Sequence, residues 1–323
     1  MQNLELFFAD REKRKRWTFL LYPLSQFYRV GLAFRHAMYR WGWLRSFKAD
    51  IPVICVGSIF VGGSGKTPFV RLLLEHLGKD TWVLSRGYRH LDEPLFYKNC
   101  VVEKDRVWGV KRCLEQGARA VIMDDGLQHL RLKKDLKVAL ITQDQLENEW
   151  AFLPFGSLRD LPRILEETEV IVIHEVDSLE TYNKITNSLR TNRCQRFIGT
   201  TTGFRGFLTS NGDPVVKMER ALLLSSIARP HRFREMIASL GVEVVDHVVL
   251  PDHGKVSLSD LEALIKRAKM LNAILVTTEK DAVKYPIGTE IVQAKIGTEV
   301  VYDKVNFDQL LQKIEALHVS KTH

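Results

Sequence analysis

From residue 51 onward, short apolar runs alternate with stretches whose apolar residues recur every three or four positions. "IPVICV", "TWVLS", "RAVIMDD", "KVALIT" and "VIVIHE" are strand-length with continuous apolar centres, which predicts strands covered on both faces. "TPFVRLLLEHLGK" and residues 106–117 carry the helical period between them. Such alternation predicts a mostly parallel sheet flanked by helices.

Near 200–220 the chain turns polar, and Asn211-Gly212-Asp213-Pro214 is a strong turn signal. A second alternating series follows: "ALLLSSIA", "HRFREMIASLG", "VEVVDHVVL", "SLSDLEALIKRAKML" and "AILVTT". The expected organisation is an α/β domain over 51–205, a linker over 206–220 and a smaller α/β domain over 221–323.

Residues 1–50 read differently. Leu20, Leu24, Phe27, Phe34, Met38 and Trp41 share one helical face. The basic run Arg11, Lys13, Arg14, Lys15 and Arg16 precedes them, and Arg29, Arg35, His36 and Arg40 interrupt the segment too often for a membrane span. The aromatic, apolar face could lie in a membrane interface or pack on the protein's own core.

Composition adds the class of partner. The 323 residues are 45% apolar and 27% charged, which excludes a disordered or collagen-like chain. A net charge of +8 favours an anionic partner. The four cysteines (Cys55, Cys100, Cys113 and Cys194) form no C-x-x-C pair, which argues against zinc and disulfides and for a reducing compartment. No fold motif supports nucleic-acid binding, and the run "RLKKDLK" reads as a solvated face.

The chemistry concentrates in "VGSIFVGGSGKTPF", which joins a buried strand to a helix. Gly62-Gly63-Ser64-Gly65-Lys66-Thr67 is a P-loop without its usual first glycine, because Phe60 stands there. The loop from Phe60 and Val61 to Thr67 is the candidate ATP site. Glycines let backbone N–H groups turn inward, Lys66 reaches the β/γ-phosphates, and the Thr67 hydroxyl can ligate Mg²⁺. "AVIMDDGLQH" ends a strand in Asp124 and Asp125, either of which could complete a metal shell. The fold class expected is therefore α/β and P-loop NTPase-like, with a second smaller domain and an N-terminal amphipathic helix.

"VGSIFVGGSGKTP", "LSRGY", "DDGLQH", "LPFGSLRD", Asp252-His253 and "TTEKDAVK" occur in an order that resembles the tetraacyldisaccharide 4′-kinase family. That family also lacks the first glycine of the loop. The resemblance implies transfer of the ATP γ-phosphoryl group to the 4′-hydroxyl of a lipid A disaccharide 1-phosphate precursor. It further implies Mg²⁺ as cofactor and a peripheral location on the cytoplasmic face of an anionic bacterial inner membrane.

Residue by residue, the resemblance makes Asp92 the base, paired with His253 of a second domain that closes over the site, with Lys66 on the transferring phosphoryl group. It places Thr67, Asp124, Asp125 and Asp160 at the metal, Asp160 standing where the family has Glu. Arg86 and Arg159 are candidate substrate contacts, and Arg29 and Arg40 suit an anionic lipid. The competing reading is a regulatory P-loop NTPase of the partitioning or metallochaperone kind. Val61 stands where those with a deviant loop carry a Lys.

Overall fold

The computed structural model describes residues 11–87, 97–148, 150–190, 195–227, 230–251 and 254–320, and for 11–20, 147, 148 and 320 only the backbone. Asp92 and His253 lie outside the described residues. The chain forms two compact units. The first comprises residues 1–88, 96–201 and 298–323; the second comprises residues 89–95 and 202–297.

In the first unit, β1 (Val53–Gly57), β2 (Thr81–Ser85), β3 (Cys100–Val102), β4 (Ala120–Asp124), β5 (Leu136–Thr142), β6 (Val170–His174) and the start of β7 (Arg196–Thr209) form one sheet. Its order is β7-β6-β5-β1-β4-β2-β3, and every pairing is parallel. Alternate residues of β1 enter opposite cores: Val53 and Cys55 on one face, Ile54 and Val56 on the other. This is why the strands read as unbroken apolar runs. The first unit's helices include α1 (Arg11–Arg40), α2 (Lys66–His76), α3 (Arg106–Glu115), α4 (Gln143–Asn148) and α5 (Leu179–Leu189). Asp105 starts α3 by accepting from the backbone N–H of Val107 and Trp108, and Ser178 caps α5 through Thr181.

In the second unit, β9 (Arg220–Ser225), β10 (Glu243–Val249), β11 (Ile274–Thr278) and the start of β12 (Val292–Tyr302) pair in the order β10-β9-β11-β12, all parallel. Ala221 and Leu223 point into one core, Leu222 and Leu224 into the other. Helices α6 (Pro230–Ser239), α7 (Leu258–Met270) and α8 (Glu279–Ala282) complete it. The smaller α/β unit thus has the element types its sequence predicts.

The expected domain boundaries differ from those found. Residues 206–220 are not a linker: β7 continues to Thr209, turns, and pairs antiparallel with β8 (Pro214–Val215). The end of the chain does not belong to the smaller unit. Helix α9 (Lys304–Ser320) places Phe307, Leu310 and Ile314 in the core of the first unit with Phe69, Val70 and Leu73 of α2. Burial of that stripe, at about 25 cal/mol per Å² of apolar surface, outweighs sequence proximity.

Helix α1 does not bury the apolar face that its pattern predicts. Leu24, Phe27, Phe34 and Trp41 are exposed, Phe27 at 75% and Trp41 at 64%, so the predicted apolar face does not pack on the core. Ser25 and Leu32, on the other side, are buried. No helix among the described residues is long and apolar enough to cross a membrane.

Candidate active site

Strand β1 delivers the chain into the glycine loop at the carboxyl end of the sheet, and α2 starts directly after it. This is where open parallel α/β sheets bind ligands. Gly65 is the N-cap of α2 at φ +74, and Gly62 has φ +110. At both positions an L side chain would be strained. A Cβ on Gly65 would come within 2.5 Å of the His174 ring at the end of β6. Gly65→Ala is therefore expected to cost about 2 kcal/mol in backbone and steric strain and to abolish nucleotide binding. Calorimetric unfolding and titration with an ATP analogue check both effects.

The side chains of the loop and of the β4 end meet. Lys66 Nζ donates to Ser64 Oγ at 3.1 Å and lies 3.8 Å from Asp125 Oδ1. Thr67 Oγ1 donates to Asp124 Oδ2 at 3.2 Å, and the Tyr97 hydroxyl donates to the same oxygen at 2.9 Å. Asp124 Oδ1 is buried and has no hydrogen-bond partner among the described residues. Burial pushes the Asp124 carboxyl up, against the pull of Tyr97 and Lys66.

Asp125 has a different fate. It sits at φ +56, and both its oxygens are taken by the Arg159 guanidinium, Nη1 at 2.8 Å from Oδ2. Burial works to raise its carboxyl, but Arg159 and Lys66 more than offset this and hold it below the usual range. Neighbouring carboxylates are thus split into an orphaned acceptor and a salt-bridged anchor. Arg159 also donates to Ser58 O through Nε and Nη2, tying the loop's approach to the β4 end.

Asp160, expected at the metal, is fully buried, and its Oδ2, like Asp124 Oδ1, has no hydrogen-bond partner among the described residues. Its Oδ1 accepts from the Leu161 N–H and faces His36 Nε2 at 2.7 Å. An Asp side chain is one methylene shorter than the Glu it stands in for, and this one is held by α1. Among the described residues no three His, Cys, Asp or Glu side chains gather as a metal cage. The Phe60 side chain is a core residue set edge-on to Trp150, which confines any part in nucleotide binding to its backbone. Val61 is exposed and Ser64 buried within the loop. Arg86 is exposed just past β2, while Arg29 and Arg40 are exposed on α1.

Two residues that sequence reasoning passed over support the site. Arg106, buried on α3, donates to Leu84 O at 3.1 Å and Asp124 O at 3.0 Å, tying the ends of β2 and β4 together. In sequence it looks like any helix arginine, and only its neighbour Asp105 signals a helix start. Tyr97 carries no signal in its surroundings at all.

His129 closes the turn after the aspartates, with its N–H donated to Gly126 O. Burial, reinforced by Lys134 and Arg106, pushes its imidazole down to about 4. The folded state therefore keeps it neutral while the unfolded chain binds a proton below about 6.5. Its contribution to stability is present above pH 6.5 and declines as pH falls towards 4. In His129→Gln the unfolding free energy should fall less steeply across that window, by up to about one proton's worth of slope, as read by urea titrations at pH 7, 6 and 5.

Comparison with known proteins decides what this arrangement belongs to. The family model described as tetraacyldisaccharide-1-P 4′-kinase matches residues 17–98 and 92–316. The chain belongs to that family. Relatives named tetraacyldisaccharide 4′-kinase include one from Syntrophus aciditrophicus, 31% identical over 85% of this chain and 86% of its own length. Another, from Azoarcus, is 32% identical over 82% of each chain. The crystal structure of LpxK from Aquifex aeolicus in complex with ATP superposes with a TM-score of 0.72 at 24% identity, covering 93% of this chain and 99% of that one. Family membership makes the chain a kinase, an ATP-dependent phosphotransferase, and the regulatory NTPase reading is not favoured. The tetraacyldisaccharide kinase fold is the one described above: a mostly parallel α/β sheet with flanking helices.

Proposed function

We propose that the chain transfers the γ-phosphoryl group of ATP to the 4′-hydroxyl of a tetraacyldisaccharide 1-phosphate. The convergence of Lys66, Thr67, Asp124 and the Arg159-bound Asp125 on one loop carries this reading, together with family membership. Phosphoryl transfer needs positioning and charge stabilisation more than covalent chemistry, and these residues supply both. Loop N–H groups and the start of α2 hold the phosphates, and the Lys66 ammonium neutralises charge that develops on the transferring group. Asp125, locked by Arg159, keeps Lys66 oriented.

The residues present fit a Mg²⁺ ion. Asp124 offers a buried carboxylate oxygen without a partner, and the Thr67 hydroxyl lies beside its other oxygen. Thr67 and Asp124 would hold the ion, which when bound neutralises charge on the β/γ-phosphates. Asp92 and His253, which the family resemblance puts forward as base and partner, complete the proposal. A carboxylate near the acceptor hydroxyl takes up its proton as the new bond forms.

The exposed face of α1 supports work at a membrane surface, with the lipid acceptor lying in it. Leu24, Phe27, Val30, Phe34 and Trp41 are exposed together with Arg29 and Arg40. An apolar arc flanked by arginines suits an anionic interface, in keeping with the cytoplasmic face of the inner membrane. Phe27→Ser with Phe34→Ser is expected to weaken binding to vesicles containing anionic lipid by at least about tenfold. ATP-analogue affinity should stay unchanged. Co-sedimentation tests this, and undiminished vesicle binding would remove the surface role.

The reading as a whole is tested by incubating the protein with γ-labelled ATP, Mg²⁺ and a lipid A disaccharide 1-phosphate, and following the label into lipid.

A further inference from the structure

The face of α1 opposite its exposed apolar arc is hydrogen-bonded to the segment that holds Asp125. Tyr28, Arg35 and His36 are seven and eight residues apart, two turns of helix, and Ser25 and Leu32 are buried on the same side. The Tyr28 hydroxyl donates to the Arg159 carbonyl at 2.9 Å. His36 Nε2 meets Asp160 Oδ1 at 2.7 Å, and Arg35 Nη2 donates to Gln128 O at 3.1 Å.

Those partners are not passive surface. Residues 157–159 pair with the chain entering the glycine loop: Val61 N–H donates to Ser157 O at 2.8 Å and Arg159 N–H to Ile59 O at 2.9 Å. The Arg159 side chain then reaches across to Ser58 O and Asp125. Gln128 Nε2 donates to Ser58 O at 2.8 Å from the other side. Tyr28 and His36 therefore grip the outer edge of a short ribbon whose inner edge is the loop itself. A shift of the Arg159 carbonyl would move the guanidinium that orients Asp125, and with it Lys66.

We propose that Tyr28 and His36 are positioning residues for phosphoryl transfer, so that α1 frames the catalytic loop from its inner face while its outer face is free to engage lipid. This deepens the kinase reading and rests on it. Neither side chain touches ATP or acceptor in this account. Both act through Arg159 and Asp160. Asp160 is, on this account, the socket for the helix.

The test uses the full-length protein with γ-labelled ATP, Mg²⁺ and the disaccharide 1-phosphate in detergent micelles. The variants are Tyr28→Phe, His36→Leu and His36→Gln. Measured alongside are lipid KM, partition onto anionic vesicles and unfolding temperature. Tyr28→Phe and His36→Leu should each lower kcat by about 5- to 20-fold, the cost of small misplacement, with lipid KM and vesicle partition within about twofold. His36→Gln, whose amide nitrogen can reach the position of Nε2, should recover at least about half of the lost kcat, which a filler of the same space would not.

Unchanged kcat in both Tyr28→Phe and His36→Leu would overturn the inference, as would losses confined to lipid KM and vesicle partition. Tyr28→Phe, which removes a single hydroxyl, carries the test if His36→Leu fails to fold. Absence of lipid labelling by the wild-type protein would instead overturn the kinase reading, and the inference with it.

Discussion

Lys66→Ala should lower phosphoryl transfer by about a hundred- to a thousandfold while leaving the fold intact, since one preorganised charge at the transferring group is worth about 3–4 kcal/mol. The structural reason is the position of Lys66 at the first turn of α2, between Ser64 and Asp125, 15% exposed and without a place in either core. Its removal should lower the unfolding temperature only slightly: Asp125 retains Arg159 as a partner on both oxygens, while buried Asp124 loses the pull of one nearby cation. Lys66→Arg is not a conservative rescue. A planar guanidinium cannot take the place of a compact ammonium in a loop this tight, and activity should stay below about a tenth of wild type. Steady-state labelling with both variants, beside thermal unfolding, reads these effects. A Lys66→Ala protein that transfers phosphate at near wild-type rate would remove the loop from the chemistry.

Asp124→Asn should separate catalysis from stability in the opposite sense to most core changes. Asp124 is almost fully buried, its carboxyl is pushed up by burial, and one of its oxygens has no partner among the described residues. A buried carboxylate in that condition costs stability unless a cation meets it. The amide keeps the size and still accepts from Thr67 and Tyr97 through its oxygen. The unfolding temperature is therefore expected to hold or rise, while kcat falls by about a hundredfold or more through loss of the carboxylate proposed to hold Mg²⁺. Asp125→Asn behaves differently. It leaves the Arg159 guanidinium short of its counter-charge and should destabilise the fold as well as slow the reaction. Measuring kcat at increasing Mg²⁺ beside the melting temperature distinguishes the two. Equal behaviour of the two variants would mean that the assignment of one acid to the metal and one to Arg159 is mistaken.

Much of this site is legible in the sequence, because the signals there are local. Gly62 to Thr67 needs only a strand before it and a helix after it, and both are written in the neighbouring apolar pattern. The strands of both units are legible for the same reason: parallel strands covered on two faces leave unbroken apolar runs. What sequence leaves open is set by contacts between distant residues. Nothing local separates Asp124 from Asp125; the split comes from Arg159, 34 residues on, and from Tyr97, 27 residues back. That one oxygen of Asp160 meets His36, 124 residues away, is likewise not written in its neighbourhood.

The domain boundary is misjudged for a related reason. A polar, turn-rich stretch reads as a linker, yet it forms the β7–β8 hairpin, and α9 returns to a core whose other members precede it by more than 100 residues in the chain. The exposed face of α1 could not have been chosen from its pattern, since an apolar stripe looks the same whether protein or lipid covers it.

The destination of the γ-phosphoryl group decides whether this chain is a lipid kinase. The protein is incubated with γ-labelled ATP, Mg²⁺ and a tetraacyldisaccharide 1-phosphate in detergent micelles, and the product lipid is separated and mapped. Label is expected on the 4′-oxygen of the disaccharide, dependent on acceptor and absent with Lys66→Ala. ATP consumed with no label in the lipid, at a rate indifferent to the acceptor, would contradict the lipid-kinase reading.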